Sequence, residues 1–158
     1  MLEVMIVLVI ITLLLGISVM SIQGVNDQQT MRTPALELQR MAREAVRRAG
    51  MYEETQVITF EKNAFIIRYK SDAKAVADAD SKTIWQRRID IPANMRMSIQ
   101  RWGKTDWTPA AGQRWVVQPS GLCEPLAVRF EMGNSVVALR FNPLTGGVAE
   151  ETMNIATK

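Results

Sequence analysis

The nineteen residues from Val4 to Ile22 carry no charge, and only Thr12, Gly16, Ser18 and Ser21 interrupt an otherwise apolar run. A helix needs about 20 apolar residues to cross roughly 30 Å of hydrocarbon, so this run is long enough to span a bilayer. It is apolar on every helical face, and such a helix must be surrounded by apolar material. The polar segment Gln23 to Gln29 that follows offers none. A secretory signal peptide would show a basic start, a shorter apolar core and a small-residue cleavage site, and the run shows none of these. The sequence therefore predicts a single-pass transmembrane helix over residues 1–22. The remainder is expected to fold as one domain in water.

Composition narrows the chemistry. With 158 residues there is room for one modest core besides the helix. His is absent, which removes the usual general base near neutral pH and the commonest metal ligand. Cys123 is the only cysteine, so no intrachain disulfide forms, and a small buried thiol is the expected role. A net charge of +3 implies no nucleic-acid partner unless the cations cluster. No nucleophile elbow, phosphate loop, zinc spacing or carboxylate pair stands out, so we expect no enzyme activity, no catalytic residue, no cofactor and no metal.

Beyond the apolar run, Thr33 and Pro34 suit an N-cap followed by proline at the first helical position, so a second helix is expected to start there. Leu38, Met41, Ala42, Ala45 and Ala49 recur at helical spacing, with Gly50 as the expected stop. Residues 23–50 thus read as an amphipathic helix continuing the stalk. Gly16, Gly24 and Pro34 are its expected flexible points, each glycine costing about 1 kcal/mol relative to Ala. Arg40, Arg43, Arg47 and Arg48 lie around the circumference. They read as a solvated face, with DNA binding as the minority alternative, because Glu37 and Glu44 interrupt the basic run.

After Gly50 the period changes to alternating or short apolar runs, which predicts a β-rich head over residues 51–158. Gln56 to Phe60 and Ala64 to Tyr69 flank Glu61-Lys62-Asn63 as a hairpin. Further strands are expected at Thr83 to Ile91, Met95 to Trp102, Arg114 to Gln118, Leu126 to Met132 and Ser135 to Phe141, the last pair closed by Gly133-Asn134. Ser71 to Lys82 reads as an exposed loop, and its Asp72, Asp78 and Asp80 lack the Gly and Glu of a calcium loop. Trp85, Trp102, Trp107 and Trp115 are expected as core and edge anchors. The predicted fold class is α+β: a long N-terminal helix, transmembrane in one half and amphipathic in the other, packed on a mainly antiparallel β head.

Glu3 sits at the start of the apolar run, where a carboxylate is favoured by the helix macrodipole. Met1-Leu2-Glu3-Val4-Met5-Ile6-Val7-Leu8-Val9-Ile10 also resembles the start of type IV pilins and pseudopilins. In that family a Gly at the prepilin peptidase site precedes an aromatic or Met residue, a Thr or Ser, two aliphatic residues, a Glu and the apolar helix. Met1 and Leu2 take the aliphatic positions and Glu3 the acidic one. The resemblance implies that the family's basic leader, its Gly and the first two mature residues precede Met1. It also implies that Glu3 meets a neighbouring subunit's N-terminal amine. Such a pair gains about 4 kcal/mol at about 4 Å and an effective dielectric near 20, against desolvation of several kcal/mol.

The head order is similar to the H-type minor pseudopilins and the FimT-like minor pilins in three places. These are Trp85 after the loop, Gln118-Pro119-Ser120-Gly121 before a strand, and Asn142-Pro143-Leu144-Thr145-Gly146-Gly147-Val148. The resemblance implies a minor pseudopilin of a type II secretion-like system, held in the bacterial inner membrane with its head in the periplasm, methylated on maturation and built into a short envelope filament by helix bundling. Implied partners are other pseudopilins or pilins, prepilin peptidase and the inner-membrane assembly platform, with a secreted substrate or the secretin as further contacts. The alternative is a FimT-like minor pilin that binds DNA for uptake. The positive-inside rule, with Arg32 after the run and no cation before it, favours a cytoplasmic head instead; a basic leader would reverse that signal.

Overall fold

The computed structural model describes the backbone of residues 2–69 and 86–155, and within these ranges the side chains except those of 2, 14–28 and 69. Helix α1 (Leu2–Tyr52) is followed by β1 (Gln56–Phe60), β2 (Ala64–Tyr69), β3 (Arg87–Asp90), β4 (Arg96–Arg101), β5 (Thr108–Pro109), β6 (Arg114–Val117), β7 (Leu126–Met132), β8 (Ser135–Phe141) and β9 (Val148–Asn154). The strands form a four-stranded sheet in the order β3-β2-β1-β6 and a five-stranded sheet in the order β5-β4-β7-β8-β9. Every pairing between these strands is antiparallel. This is the expected α+β class.

The helix does not restart at Thr33-Pro34. It runs unbroken through 51 residues with Pro34 inside it, about 75 Å at roughly 1.5 Å rise per residue. Thr33 is no N-cap: its hydroxyl donates to the Gln29 carbonyl at 2.9 Å, a bond made from within a helix. A proline in a helix interior costs about 3 kcal/mol. Pro34, however, is buried, and so are Met31, Ala35, Leu38, Met41, Ala42, Ala45 and Ala49, all on the stripe that meets the head. Complete burial of side chains such as Leu38 and Met41 contributes about 1.5–3 kcal/mol each, enough in sum to override the local penalty. The helix also passes Gly50 and ends after Tyr52, where Glu53 takes the left-handed conformation (φ 52°) that usually falls to glycine. Gly16 and Gly24 lie within the same helical backbone.

The stripe packs on both sheets, reaching β1, β2, β3 and β6 in one and β7 and β8 in the other. Ile58, Phe60, Phe65, Ile67 and Trp115 face it from the first sheet, and Val128, Phe130, Val137, Leu139 and Phe141 complete one continuous core from the second. Trp115 joins the sheets: its ring lies 4.8 Å from that of Phe141, and its indole N–H donates to the Glu124 carbonyl at 2.8 Å. Arg101 at the end of β4 ties them again by an ion pair with Glu124 and a 2.9 Å bond to the Arg114 carbonyl.

All seven predicted strands appear: β1, β2, β7 and β8 have the predicted limits, and the bounds of β4 and β6 and the end of β3 lie within one residue of expectation. The Gly133-Asn134 hairpin closes between Met132 and Ser135, with Gly133 at φ 59° in the first central position of the turn. Strands β5 and β9 were not expected. Of the four tryptophans, Trp115 is fully buried but Trp102 is 80% exposed, so Trp102 is no core anchor. Trp107 is half-buried beneath the Arg129 guanidinium, 4.7 Å from its ring centroid. Trp85, the loop Ser71 to Lys82 with its three aspartates, and the Thr83 start of the third strand lie outside the described residues.

The turn Asn142 to Gly147 brings the head tightly against the helix. Gly146 has φ 61°, and a Cβ there would stand 2.7 Å from the Val46 side chain and 2.9 Å from the Ala42 carbonyl oxygen. Gly146→Ala is expected to destabilise the chain by about 2–4 kcal/mol, combining left-handed strain with overpacking. Gly133→Ala, with similar φ but open space around the new methyl, should cost only about 1–2 kcal/mol. Denaturant unfolding of both variants measures the difference, and equal losses would mean that the helix contact is slack.

Candidate assembly site

Two parts of α1 behave differently. From Met31 onward one stripe is buried, whereas Val4, Met5, Ile6, Val7, Leu8, Val9, Ile10, Ile11 and Leu13 are all 46–72% exposed. These residues cover every face of more than two helical turns, so no rotation of the helix would hide them against the head. Even the polar residue among them turns inward: the Thr12 hydroxyl donates to the Leu8 and Val9 carbonyls, both at 2.9 Å. The described surface of residues 4–13 is thus apolar without interruption. Covering each large side chain would contribute about 1 kcal/mol.

Glu3 stands in the first turn of α1, exposed, and makes no ion pair among the described residues. Its carboxylate complements the positive end of the helix. Placed beside the apolar arm, it gives that end of the helix one anionic mark from which an orientation or a register can be set. Among the described residues, no helix is long and apolar enough to cross a membrane. The side chains of 14–28, which carry much of the Val4 to Ile22 run, lie outside them.

Two of the four arginines of the second helical half form ion pairs within the helix. Arg40 meets Glu37 at 2.8 Å and Arg48 meets Glu44 at 3.0 Å. Arg87 of β3 reaches across to both acids, 3.0 Å from Glu37 and 3.2 Å from Glu44. Its two-pronged guanidinium bridges carboxylates two helical turns apart and docks the first sheet on the helix. Arg88 is held by Asp90 at 2.8 Å and Glu61 at 2.7 Å, which keep its guanidinium protonated still more firmly. Arg43 and Arg47 remain exposed, and Arg47 donates to the Met51 sulfur at 3.4 Å. Of the cations that a DNA-binding face would require, Arg40, Arg48, Arg87 and Arg88 are thus held by local carboxylates; Lys70, Lys74 and Lys82 lie outside the described residues.

Cys123 is buried, with its thiol 3.4 Å from the Pro143 carbonyl, and burial pushes its pKa up. That position suits the expected inert packing role. Among the described residues no three Cys, Asp or Glu side chains gather into a metal-binding group.

No family model matches the sequence, and no curated protein matches it. The fold nevertheless has solved counterparts. Two structures of the minor pseudopilin EpsH from the type 2 secretion system of Vibrio cholerae superpose with a TM-score of 0.53 at 11% identity. They cover 81% and 82% of this chain and 96% of each EpsH chain. At that identity the likeness concerns the fold: a pseudopilin-like arrangement of long helix and antiparallel head.

Since every buried core residue among the described ones lies between Met31 and Phe141, deletion of residues 1–22 is expected to leave a folded, soluble head. Circular dichroism with cooperative melting, and elution from gel filtration as a compact species, would agree with it. A head that only aggregates would mean that the arm belongs to the same core.

Proposed function

We propose that this chain is a minor pseudopilin subunit of a type II secretion-like system, a structural and not a catalytic protein. In this reading the Val4 to Ile22 run anchors it in the bacterial inner membrane as a single-pass helix, with the head in the periplasm. The same run then leaves the lipid to bundle with the helices of other pilin-like subunits in a short envelope filament. Processing by prepilin peptidase and handling by the inner-membrane assembly platform belong to this reading, as do contacts of the head with a secreted substrate or the secretin.

One observation carries the proposal: a continuous helix whose far end is apolar all round and uncovered, joined without a break to a head of pseudopilin-like fold. A lipid bilayer and a bundle of like helices are the two environments in which such a surface is stable, and a subunit of this kind occupies each in turn. Glu3 supplies what a plain membrane anchor lacks. An acidic residue beside an apolar span opposes transfer into the bilayer, so its presence calls for a role, and pairing with a neighbour's terminal amine is the role proposed.

The variant Glu3→Leu separates anchoring from assembly. It lengthens the apolar surface, so membrane insertion should persist or improve, while recovery in sheared filaments, normalised to membrane level, should fall at least tenfold if a charge pair of about 1.4 kcal/mol net or more is lost. Glu3→Asp should recover part of the loss, its carboxylate being set back by about one methylene. Equal filament recovery for wild type and Glu3→Leu would remove the pairing role and leave Glu3 as a helix-end charge.

A further inference from the structure

One end of the five-stranded sheet carries an open groove of about 760 Å³, lined by the β4–β5 turn, the start of β7 and the segment after β8. Its lining includes Trp102, Lys104, Pro125, Leu126, Arg140 and Pro143. Trp102 is 80% exposed at its rim, a large apolar surface left to water. The turn that presents it is firmly braced. Lys104 N–H donates to the Arg101 carbonyl at 3.1 Å, Gly103 takes φ 72°, and the Gln100 side-chain amide donates to the Thr105 carbonyl at 2.8 Å. The Arg101 side chain is itself anchored by Glu124, Gln113 and the Arg114 carbonyl. An indole held out on a turn that has already lost its freedom binds a partner at little ordering cost.

The lining of the groove itself carries only cations, while Glu124 and Glu150 stand beside it as partners of two of them. Its titratable lining residues are Arg101, Lys104 and Arg140, with no carboxylate among them. Arg101 is committed to Glu124. Lys104 has no ion pair among the described residues, and Arg140 meets Glu150 only at 3.4 Å with both side chains more than 60% exposed, a pair readily exchanged. Two available cations suit one or two carboxylates. A nucleic-acid strand would ask for a longer track of cations, which the groove does not line up.

We propose that this groove docks an extended acidic segment of a partner protein, with an apolar side chain seated against Trp102, Pro125 and Leu126 and a neighbouring carboxylate met by Lys104 and Arg140. The inference does not depend on the filament reading, because the site belongs to the head alone. Apolar lining with a few placed charges is the common composition of a recognition groove, and exposed tryptophans are frequent anchors in such sites.

The test is selection of random ten-residue displayed peptides on the detergent-solubilised full chain, with binding of the recovered peptides remeasured on Trp102→Ala and Lys104→Glu. Both positions are exposed, so unchanged denaturation midpoints confirm that the variants fold. Recovered peptides should be net acidic with an aromatic or aliphatic residue beside Asp or Glu. Their affinity should fall at least about tenfold in Trp102→Ala, as expected on truncating an anchor, and fall again with salt or in Lys104→Glu. Failure to recover any peptide, a neutral or basic consensus, or equal binding to Trp102→Ala would overturn the proposal. A single-stranded oligothymidine that binds through Trp102 where no acidic peptide does would overturn it in favour of nucleic acid.

Discussion

Everything in this molecule depends on the burial of one stripe of α1, from Met31 to Ala49, against both sheets at once. Neither sheet has a second layer of its own among the described residues, so the helix is the element that makes their two apolar faces a single core. Small residues at Ala42, Ala45 and Ala49 let the head come close. At Gly146 the approach is so tight that only a residue without a Cβ fits over Val46 and the Ala42 carbonyl. The turn that carries Gly146 is fastened in turn to Cys123, whose N–H donates to the Pro143 carbonyl at 2.9 Å. Helix, turn and strand edge are thus linked by packing and backbone bonds in a chain of neighbouring contacts.

Charge finishes what packing begins. Arg87 stretches from β3 to Glu37 and Glu44, and these are also the carboxylates that Arg40 and Arg48 meet within the helix. The group is partly exposed, so each pair contributes little by itself, but a shared network fixes the rotation of the helix on the first sheet. The same helix near its start, over residues 3–13, is exposed on every face. Its apolar surface over residues 4–13 is consequently free for lipid or for other helices, while the stripe from Met31 to Ala49 stays committed to the core.

Legibility in the sequence followed the range of the interactions. Strands β1, β2, β7 and β8 were readable because their alternation and their turns are local, and the apolar arm because its composition is uniform. Strand β9, VAEETMN, was hidden: its acidic, exposed residues show no apolar alternation, and it is a strand because β8 offers it backbone partners from Val136 to Phe141. The two residues of β5 are likewise defined only by their pairing with Ser98 and Ile99. Local rules placed a helix boundary at Pro34, whereas burial of Pro34 on the core stripe carried the helix through. They also placed the helix end at Gly50, whose backbone stays helical while Glu53 supplies the left-handed turn. In the candidate site, Glu3 and the arm were visible from composition and resemblance. The task of Arg87 was not, since its carboxylates lie 50 and 43 residues away in the chain. Nor does spacing alone distinguish a buried Trp115 from an exposed Trp102.

The central claim is that the arm exists to contact other helices. It is tested most directly by placing a photo-activated crosslinking side chain at Val7, which is 51% exposed, and irradiating the bacterial envelope that contains the full-length protein. The account predicts adducts with the N-terminal helix of another pilin-like subunit, identified by mass spectrometry of the crosslinked peptides. Adducts formed only with the chain's own head, or with lipid alone under conditions in which filaments are present, would contradict it.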